Sequence, residues 1–91
     1  MEERAKQISE YLKVLANENR LLILNELTNG PRTVSEIGTK IPKITQSALS
    51  QHLSILKAHG ILSFEKSGQK VKYYILDWRV EEIMKTLREY Y

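Results

Sequence analysis

The spacing of apolar residues changes near position 60, and this change limits the fold more than any other feature of the sequence. Before it, apolar residues recur every three or four positions, as in helices that bury one face. After it, two short segments, 61–66 and 71–76, flank the glycine-containing turn 67–70, which predicts a β-hairpin. Helical spacing then returns over residues 78–89. With 91 residues, we expect one domain over residues 1–91, mainly α-helical with a single β-hairpin.

Local signals mark the ends of five predicted helices. Thr33 and Glu36 have the spacing of a capping box, Asp77 is placed to cap the last helix, and Gly60 supplies a stop for the fourth. In chain order, the predicted helices cover residues 3–15, the segment between the Asn17 cap and the Asn29-Gly30-Pro31 stop, 34–40, 45–59 and 78–89. Two helices joined by a short turn and followed by a hairpin predict a winged helix-turn-helix with the order α-α-α-α-β-β-α.

The fourth predicted helix has two contrasting sides. Leu49, Leu53 and Leu56 share a narrow arc, which we expect to be buried. The opposite side carries hydroxyls and amides, namely Gln46, Ser47, Ser50, Gln51 and Ser54. Short polar side chains let a helix approach base edges, and glutamine can pair with adenine through two hydrogen bonds. We therefore predict that this side reads the major groove of double-stranded DNA, although an ordinary solvated helix face is the alternative.

Basic residues concentrate in the middle of the chain. Residues 31–76 carry seven basic and two acidic side chains, whereas each flanking segment has one more acidic than basic side chain. This distribution favours a polyanion-binding face, or alternatively a solvated lysine-rich surface. The predicted phosphate contacts are Lys66, Lys70 and Lys72 at the wing and Lys43 and Thr45 at the start of the fourth helix. For the wing, the alternative is a mobile, solvated turn.

Other site chemistry is limited by the residue inventory. The chain has no cysteine and two histidines, which excludes thiolate metal sites, disulfides and cysteine nucleophiles. We expect His52, at the edge of the apolar arc, to be a hydrogen-bonded structural residue, and His59 lies too far along the helix to share a metal ion with it. No catalytic constellation, phosphate loop or metal site can be assembled, so no enzymatic activity and no cofactor are expected.

Four segments resemble the ArsR/SmtB family of bacterial and archaeal repressors. The first is similar to the family's "L-A-D-P-T-R-L-x-I-L", and the last is similar to the "G-R-x-x-Y-Y-x-L" of its wing. The segments are LANENRLLIL at 15–24, TVSEI at 33–37, QSALSQHLSILK at 46–57 and GQKVKYYIL at 68–76. The resemblance implies a winged-helix repressor that binds DNA through helix 45–59 and wing 66–72.

The resemblance also implies a homodimer built from the terminal helices, 3–15 and 78–89. A chain this short buries a limited core, which points the same way, although both helices could simply cover their own protomer's core. The predicted interface residues are Ile8, Tyr11, Leu12, Trp78, Ile83, Met84 and Leu87. Two-fold symmetry would place two reading helices about one DNA turn apart, so the expected operator is an inverted repeat.

The sensor positions of the resembled family are largely unmatched. Thr33 and Ser35 stand where arsenic-sensing members have cysteines. Of the zinc ligands on the last helix only Asp77 matches, because Arg79 stands in place of the first histidine and Tyr90 lies near the second. The resemblance therefore implies DNA binding without a known inducer, and an unidentified small-molecule effector stays open.

Two alternatives compete with a DNA-binding regulator. One is a winged-helix module for protein–protein assembly without specific DNA contacts, and the other is an RNA-binding protein. The second lacks an evident aromatic platform, because Tyr73 and Tyr74 alternate across a strand. No segment approaches the ~18 consecutive apolar residues of a membrane span, and the N-terminus does not resemble a secretory signal, so we expect a cytoplasmic protein with no membrane partner.

Overall fold

A computed structural model describes residues 1–91 and confirms the predicted winged helix-turn-helix. The elements are α1 (Glu2–Leu15), α2 (Glu18–Leu27), β1 (Arg32–Thr33), α3 (Val34–Lys40), α4 (Gln46–Ala58), β2 (Leu62–Ser67), β3 (Lys70–Ile75) and α5 (Trp78–Tyr90). The order differs from the expected one by the addition of β1, and the element ends shift by one or two residues.

The predicted helix caps are present, since each depends on contacts within one turn. Asn17 accepts a hydrogen bond from the Arg20 amide at 3.1 Å. The Glu36 amide donates to Thr33 Oγ1 at 3.2 Å, while the Thr33 amide donates to Glu36 Oε1 at 2.8 Å, which completes the capping box. Asp77 likewise accepts from the Arg79 amide at 3.0 Å. These bonds satisfy amides that a helix leaves without partners at its first turn.

The three strands form an antiparallel sheet with β3 at its centre, in the order β1-β3-β2. The β2–β3 loop contains only Gly68 and Gln69. Gly68 has φ +62°, and the tight two-residue hairpin turns need a positive φ at their first residue. β1 was not predicted. It consists of two residues after Pro31, too few to show an alternating pattern, and it forms because β3 is available beside it.

The core contains 13 buried apolar side chains and no buried polar one. The apolar arc of α4 is buried as predicted, and α2 supplies Ile23, Leu24 and Leu27 from the centre of the fold. At the end of α4 the Gly60 amide donates to the Lys57 carbonyl and the Ile61 amide to the Leu56 carbonyl, both at 3.0 Å. This Schellman motif, with Leu56 and Ile61 buried together, turns the chain directly into the wing.

α1 is packed against the rest of the chain over its second half only. Every residue from Met1 to Glu10 is exposed, whereas Tyr11 and Val14 are half-buried and Leu15 lies in the core. The apolar side chains Ile8 and Leu12 are 45% and 48% exposed. α1 therefore presents an uncovered apolar stripe to its surroundings.

Candidate nucleic-acid interface

α4 is held rigidly by the core along one side, which fixes the direction of its other side. Leu49, Leu53 and Leu56 are almost completely buried. Thr45 caps the N-terminus, with its Oγ1 accepting from the Ala48 amide at 3.1 Å. Burial, N-cap and Schellman motif together fix which side of α4 faces outward.

The opposite side of α4 is exposed along its whole length, and we refer to its polar residues as the α4 outer face. It consists of Gln46, Ser47, Ser50, Gln51 and Ser54. α4 contains no acidic residue, and its one ordinarily charged side chain is that of Lys57. A polyanion approaching this face therefore meets short hydrogen-bonding groups and no like charge. Lys43 and Thr45, at the entrance of the helix, are also exposed.

The wing lysines lie on two different faces of the hairpin. Lys66 pairs with Val71 across the strands, while Ser67 pairs with Lys70 and Glu65 with Lys72. Because directly opposed residues point to the same side of a sheet, Lys70 and Lys72 share one face and Lys66 lies on the other. The three predicted phosphate contacts of the wing therefore do not share one surface, and Lys66 and Lys70 are exposed near the tip.

Lys72 has acidic neighbours that the tip lysines lack. It stands opposite Glu65 on β2 and opposite Thr33 on β1, in the middle of the sheet. Glu36 lies close enough that the charges of Lys72 and Arg32 help to lower its pKa, behind the larger effect of its hydrogen bonds with Thr33. Lys72 therefore has two glutamates nearby within the protomer and is half-buried, whereas Lys66 and Lys70 are the exposed cations of the wing.

An aromatic contact that the sequence analysis missed joins α4 to the wing. The Lys57 ammonium lies 5.1 Å from the centre of the Phe64 ring, and Phe64 packs edge to face on Tyr73 with ring centres 5.6 Å apart. Phe64 is 42% exposed. The contact joins the last turn of α4 to the inner face of the wing, and the alternation of residues 62–66 was the only sequence signal for it.

A second missed contact connects α4 to α1 through α2. Arg20 Nε donates to His52 Nδ1 at 3.2 Å, and Arg20 Nη1 donates to the Val14 carbonyl at 3.1 Å. His52 is half-buried and hydrogen-bonded, as the sequence predicted. Burial, followed by the charge of Arg20, lowers the pKa of His52 below its ordinary value. The imidazole is therefore neutral near pH 7, with Nδ1 as the acceptor.

A third contact fastens α1 to the start of α5. The Tyr11 hydroxyl donates to Asp77 Oδ2 at 3.0 Å, and the Arg79 guanidinium donates to both oxygens of Asp77, at 3.0 and 2.8 Å. The same guanidinium lies 4.6 Å from the centre of the Tyr11 ring. Burial and the Asp77 carboxylate raise the pKa of Tyr11 to about 12, because both disfavour the phenolate.

The residues expected at a dimer interface divide into exposed and internal groups. Ile8, Leu12, Trp78 and Leu87 are exposed, and Trp78 most of all at 71%. Tyr11 and Ile83 are half-buried against the core, and Tyr11 is engaged with Asp77. Met84 is only 6% exposed and belongs to the protomer's own core, so it offers little surface to a partner.

No group of three His, Cys, Asp or Glu side chains is arranged to hold a metal ion. Asp77, the one residue matching a zinc ligand in the resembled family, is occupied by Tyr11 and Arg79. No helix of the structure combines the length and the apolar character needed to cross a membrane.

Comparison with known proteins confirms the resemblance. A sequence model described as "Bacterial regulatory protein, arsR family" matches residues 17–63, from the N-cap of α2 to the start of β2. An HTH-type transcriptional regulator of Methanocaldococcus jannaschii is 39% identical over 88 residues, covering 96% of this chain and 98% of that protein. The transcriptional activator HlyU of Vibrio cholerae is 34% identical over 91 residues, covering 100% of this chain and 83% of that protein.

Solved structures give the same result. The structure of HlyU from Vibrio cholerae matches with a TM-score of 0.90 at 34% identity, covering 100% of this chain and 98% of that one. The transcriptional repressor BigR from Xylella fastidiosa also matches with a TM-score of 0.90, at 27% identity over 100% of this chain and 92% of that one. The chain therefore belongs to the arsR family of bacterial regulatory proteins and has the winged helix-turn-helix fold of its transcriptional regulators.

Proposed function

We propose that the protein is a homodimeric, sequence-specific DNA-binding transcriptional regulator, a repressor, that binds an inverted-repeat operator. The observation that carries the proposal is the α4 outer face, which is polar, free of acidic residues and exposed on a helix anchored by its other side. Rigid placement matters because base-edge hydrogen bonds require side chains to be held at defined positions. We assign Gln46, Ser47, Ser50 and Gln51 to base edges and Ser54 to the same groove.

Exposed lysines and one threonine hydroxyl around this face supply the phosphate contacts of the proposal. Lys43 and Thr45 lie at the entrance of α4, and Lys66 and Lys70 lie at the tip of the wing. Lys72 is expected to contribute less, because it is half-buried in the centre of the sheet and faces Glu65 across the strands. The lysines act on affinity at any sequence, whereas the α4 outer face acts on the choice of sequence.

The uncovered stripe on α1 supports the homodimer. A helix of this length is marginal by itself in water, and every α1 residue from Glu2 to Glu10 is exposed, so the core gives this part of the helix little support. Ile8 and Leu12, together with Trp78 at the start of α5, form apolar surface that a second copy would bury. Two copies related by a two-fold axis present two reading helices, which is why the proposed operator is an inverted repeat.

The proposal of repression, as opposed to activation, rests on the names of the relatives and on the simplest effect of a protein bound at an operator. BigR of Xylella fastidiosa and a biofilm growth-associated protein of Agrobacterium fabrum are named repressors, whereas HlyU is named an activator. We favour repression, since a protein that covers an operator blocks access without needing any further contact. A reporter gene behind the selected operator should rise in activity when this protein is removed.

A gel-shift titration over salt concentration tests the proposal. Fragments of the encoding genome should be retained at low salt and released as salt increases, because each neutralised phosphate contributes about −0.9 to the log–log slope. With Lys66 and Lys70 in both protomers, four contacts make a slope contribution of about −3.6. The double variant Lys66→Gln/Lys70→Gln should lose this part, while Lys85→Gln on α5 should behave as the unchanged protein.

Two results would count against the proposal. A shift that does not respond to salt would remove the phosphate contacts from the account. Failure to retain any duplex at low salt would favour the alternative of a protein–protein assembly module, for which the names of the relatives give no support.

A further inference from the structure

Arg20 stands where three helices meet, and it joins two of them through hydrogen bonds. It belongs to the first turn of α2, donates to the Val14 carbonyl in the last turn of α1 and donates to His52 in the middle of α4. Carbonyls in the last turn of a helix lack partners within the helix and carry its negative dipole end, so an arginine bound there is well held. His52 is therefore tied to a fixed point.

The position of His52 on α4 means that its bond to Arg20 can restrain the orientation of the helix. His52 is the neighbour in sequence of Gln51 and lies one turn from Leu49 and Leu56, at the border between the buried arc and the α4 outer face. A bond at this border opposes rotation of the helix about its own axis, which the apolar contacts alone resist less strictly because they are not directional.

We propose that Arg20 and His52 are a positioning pair that links α1 to the reading helix, and that protonation of His52 breaks the link and weakens specific DNA binding. The inference rests on the proposed function, because it concerns the helix assigned to the major groove. Through α1, the same pair connects the helix assigned to the dimer with the helix assigned to DNA.

The chemistry of the pair makes it sensitive to pH. Nδ1 accepts the Arg20 bond only while it lacks a proton; once protonated, it becomes a second donor facing a guanidinium, and the two cations repel. Burial and the charge of Arg20 hold the pKa of His52 below its ordinary value, so the change occurs on the acidic side of about pH 6.5. Glu10 and His59 line a neighbouring groove with Val14, and Arg20 is the charged group that acts on His52.

The predicted effect of His52 protonation on DNA affinity has the opposite sign to the effect expected from net charge alone. Added positive charge on a DNA-binding protein ordinarily strengthens its attraction to phosphates. The positioning pair predicts the reverse, a loss of affinity for the selected duplex of about tenfold between about pH 8 and about pH 5, which is the usual size of a lost charge-assisted bond. Affinity for unrelated duplexes should fall less, since it does not depend on the orientation of α4.

The experiment compares three variants at both pH values, with duplexes selected from a random pool by the unchanged protein. His52→Asn places Oδ1 near the position of Nδ1, so it keeps an acceptor for Arg20 that does not titrate. It should bind tightly at both pH values. His52→Leu removes the acceptor and should bind about tenfold more weakly at both. His59→Asn is the matched control, because it removes the only other histidine and should keep the pH response.

A DNA-free readout separates this inference from the proposed function. In nuclear magnetic resonance spectra of the free protein, amides of α4 around Gln51 should shift as His52 titrates, and they should stay still in His52→Asn. This measurement judges the pair even if no duplex is ever bound. Retention of the pH response in His52→Asn, full affinity of His52→Leu at about pH 8, or α4 amides that ignore the titration would each overturn the inference.

Discussion

α4 and α1 are helices of similar length with opposite relations to the fold. α4 buries its apolar arc completely and leaves its polar face outside, whereas α1 leaves apolar Ile8 and Leu12 about half exposed. Both have an apolar stripe at helical spacing, so the stripe itself does not distinguish a core helix from an interface helix. The difference lies in what each helix exposes: α4 exposes a polar face, to which we assign DNA, and α1 exposes an apolar stripe, to which we assign a second copy of the chain.

The largest expected effect tests whether the apolar stripes of α4 and α1 differ in their contribution to the stability of the protomer. Leu53→Ala should lower the free energy of unfolding by about 2–5 kcal/mol, because it leaves a cavity at a fully buried site. Leu12→Ala, measured by urea unfolding at concentrations where the protomers are separate, should cost less than about 1 kcal/mol. Equal losses for the two variants would break the comparison.

The second prediction concerns the partner of α1. Leu12→Glu places a charge in the exposed stripe and should shift sedimentation at micromolar concentration from dimer to monomer, because a buried unpaired charge opposes association. Lys6→Glu, outside the apolar stripe of the same helix, is the matched control and should leave the dimer intact. An unchanged dimer in Leu12→Glu would move the interface away from α1.

The third prediction concerns the ligand of α4. Ser50→Ala and Gln51→Ala should each weaken binding to a selected operator by about 1–3 kcal/mol, the usual value of a specific base contact. Their unfolding free energies should hardly change, since both side chains are exposed. Gln7→Ala, an exposed amide on α1, should alter neither quantity. Fluorescence anisotropy with a labelled duplex measures the affinities, and normal affinity in both α4 variants would remove the outer face from base reading.

The smallest effect concerns the fastening of α1 to α5. Tyr11→Phe removes the bond to Asp77 and should cost about 1 kcal/mol at pH 9. The folded pKa of Tyr11, about 12, lies above the unfolded value of 10.0, so its contribution is complete below pH 10 and is lost as pH rises towards 12. The unchanged protein should therefore lose more stability than Tyr11→Phe over this interval, with the fully exposed Tyr91→Phe as control. Parallel pH profiles would contradict the assignment.

The parts of the fold that could be predicted from sequence are those fixed by neighbours along the chain. The Thr33–Glu36 capping box, the Asn17 and Asp77 caps and the hairpin around Gly68 depend on contacts within a few positions, so their residue types reveal them, although the turn proved shorter than the predicted 67–70. The family motifs extended this to the arrangement of the helices. β1 escaped because two residues carry no period and its pairing depends on β3.

The contacts that tune the candidate site join residues distant in sequence and could not be predicted. Arg20 and His52 are 32 positions apart and Tyr11 and Asp77 are 66 apart, so each pair depends on how helices pack. The separation of the wing lysines onto two faces, unlike those contacts, follows from the sequence. Strand alternation from the buried Leu62 places Lys66 on the inner face. This division could therefore be predicted from the sequence.

The most direct test of the account is selection of bound duplexes from a random pool by the unchanged protein and by Gln51→Ala. The account predicts that the unchanged protein enriches an inverted repeat with half-sites about 10 base pairs apart, centre to centre. It also predicts that Gln51→Ala keeps the repeat but loses its preference at one symmetric pair of positions. No enriched sequence, or an identical preference in both proteins, would contradict the claim that the α4 outer face reads DNA.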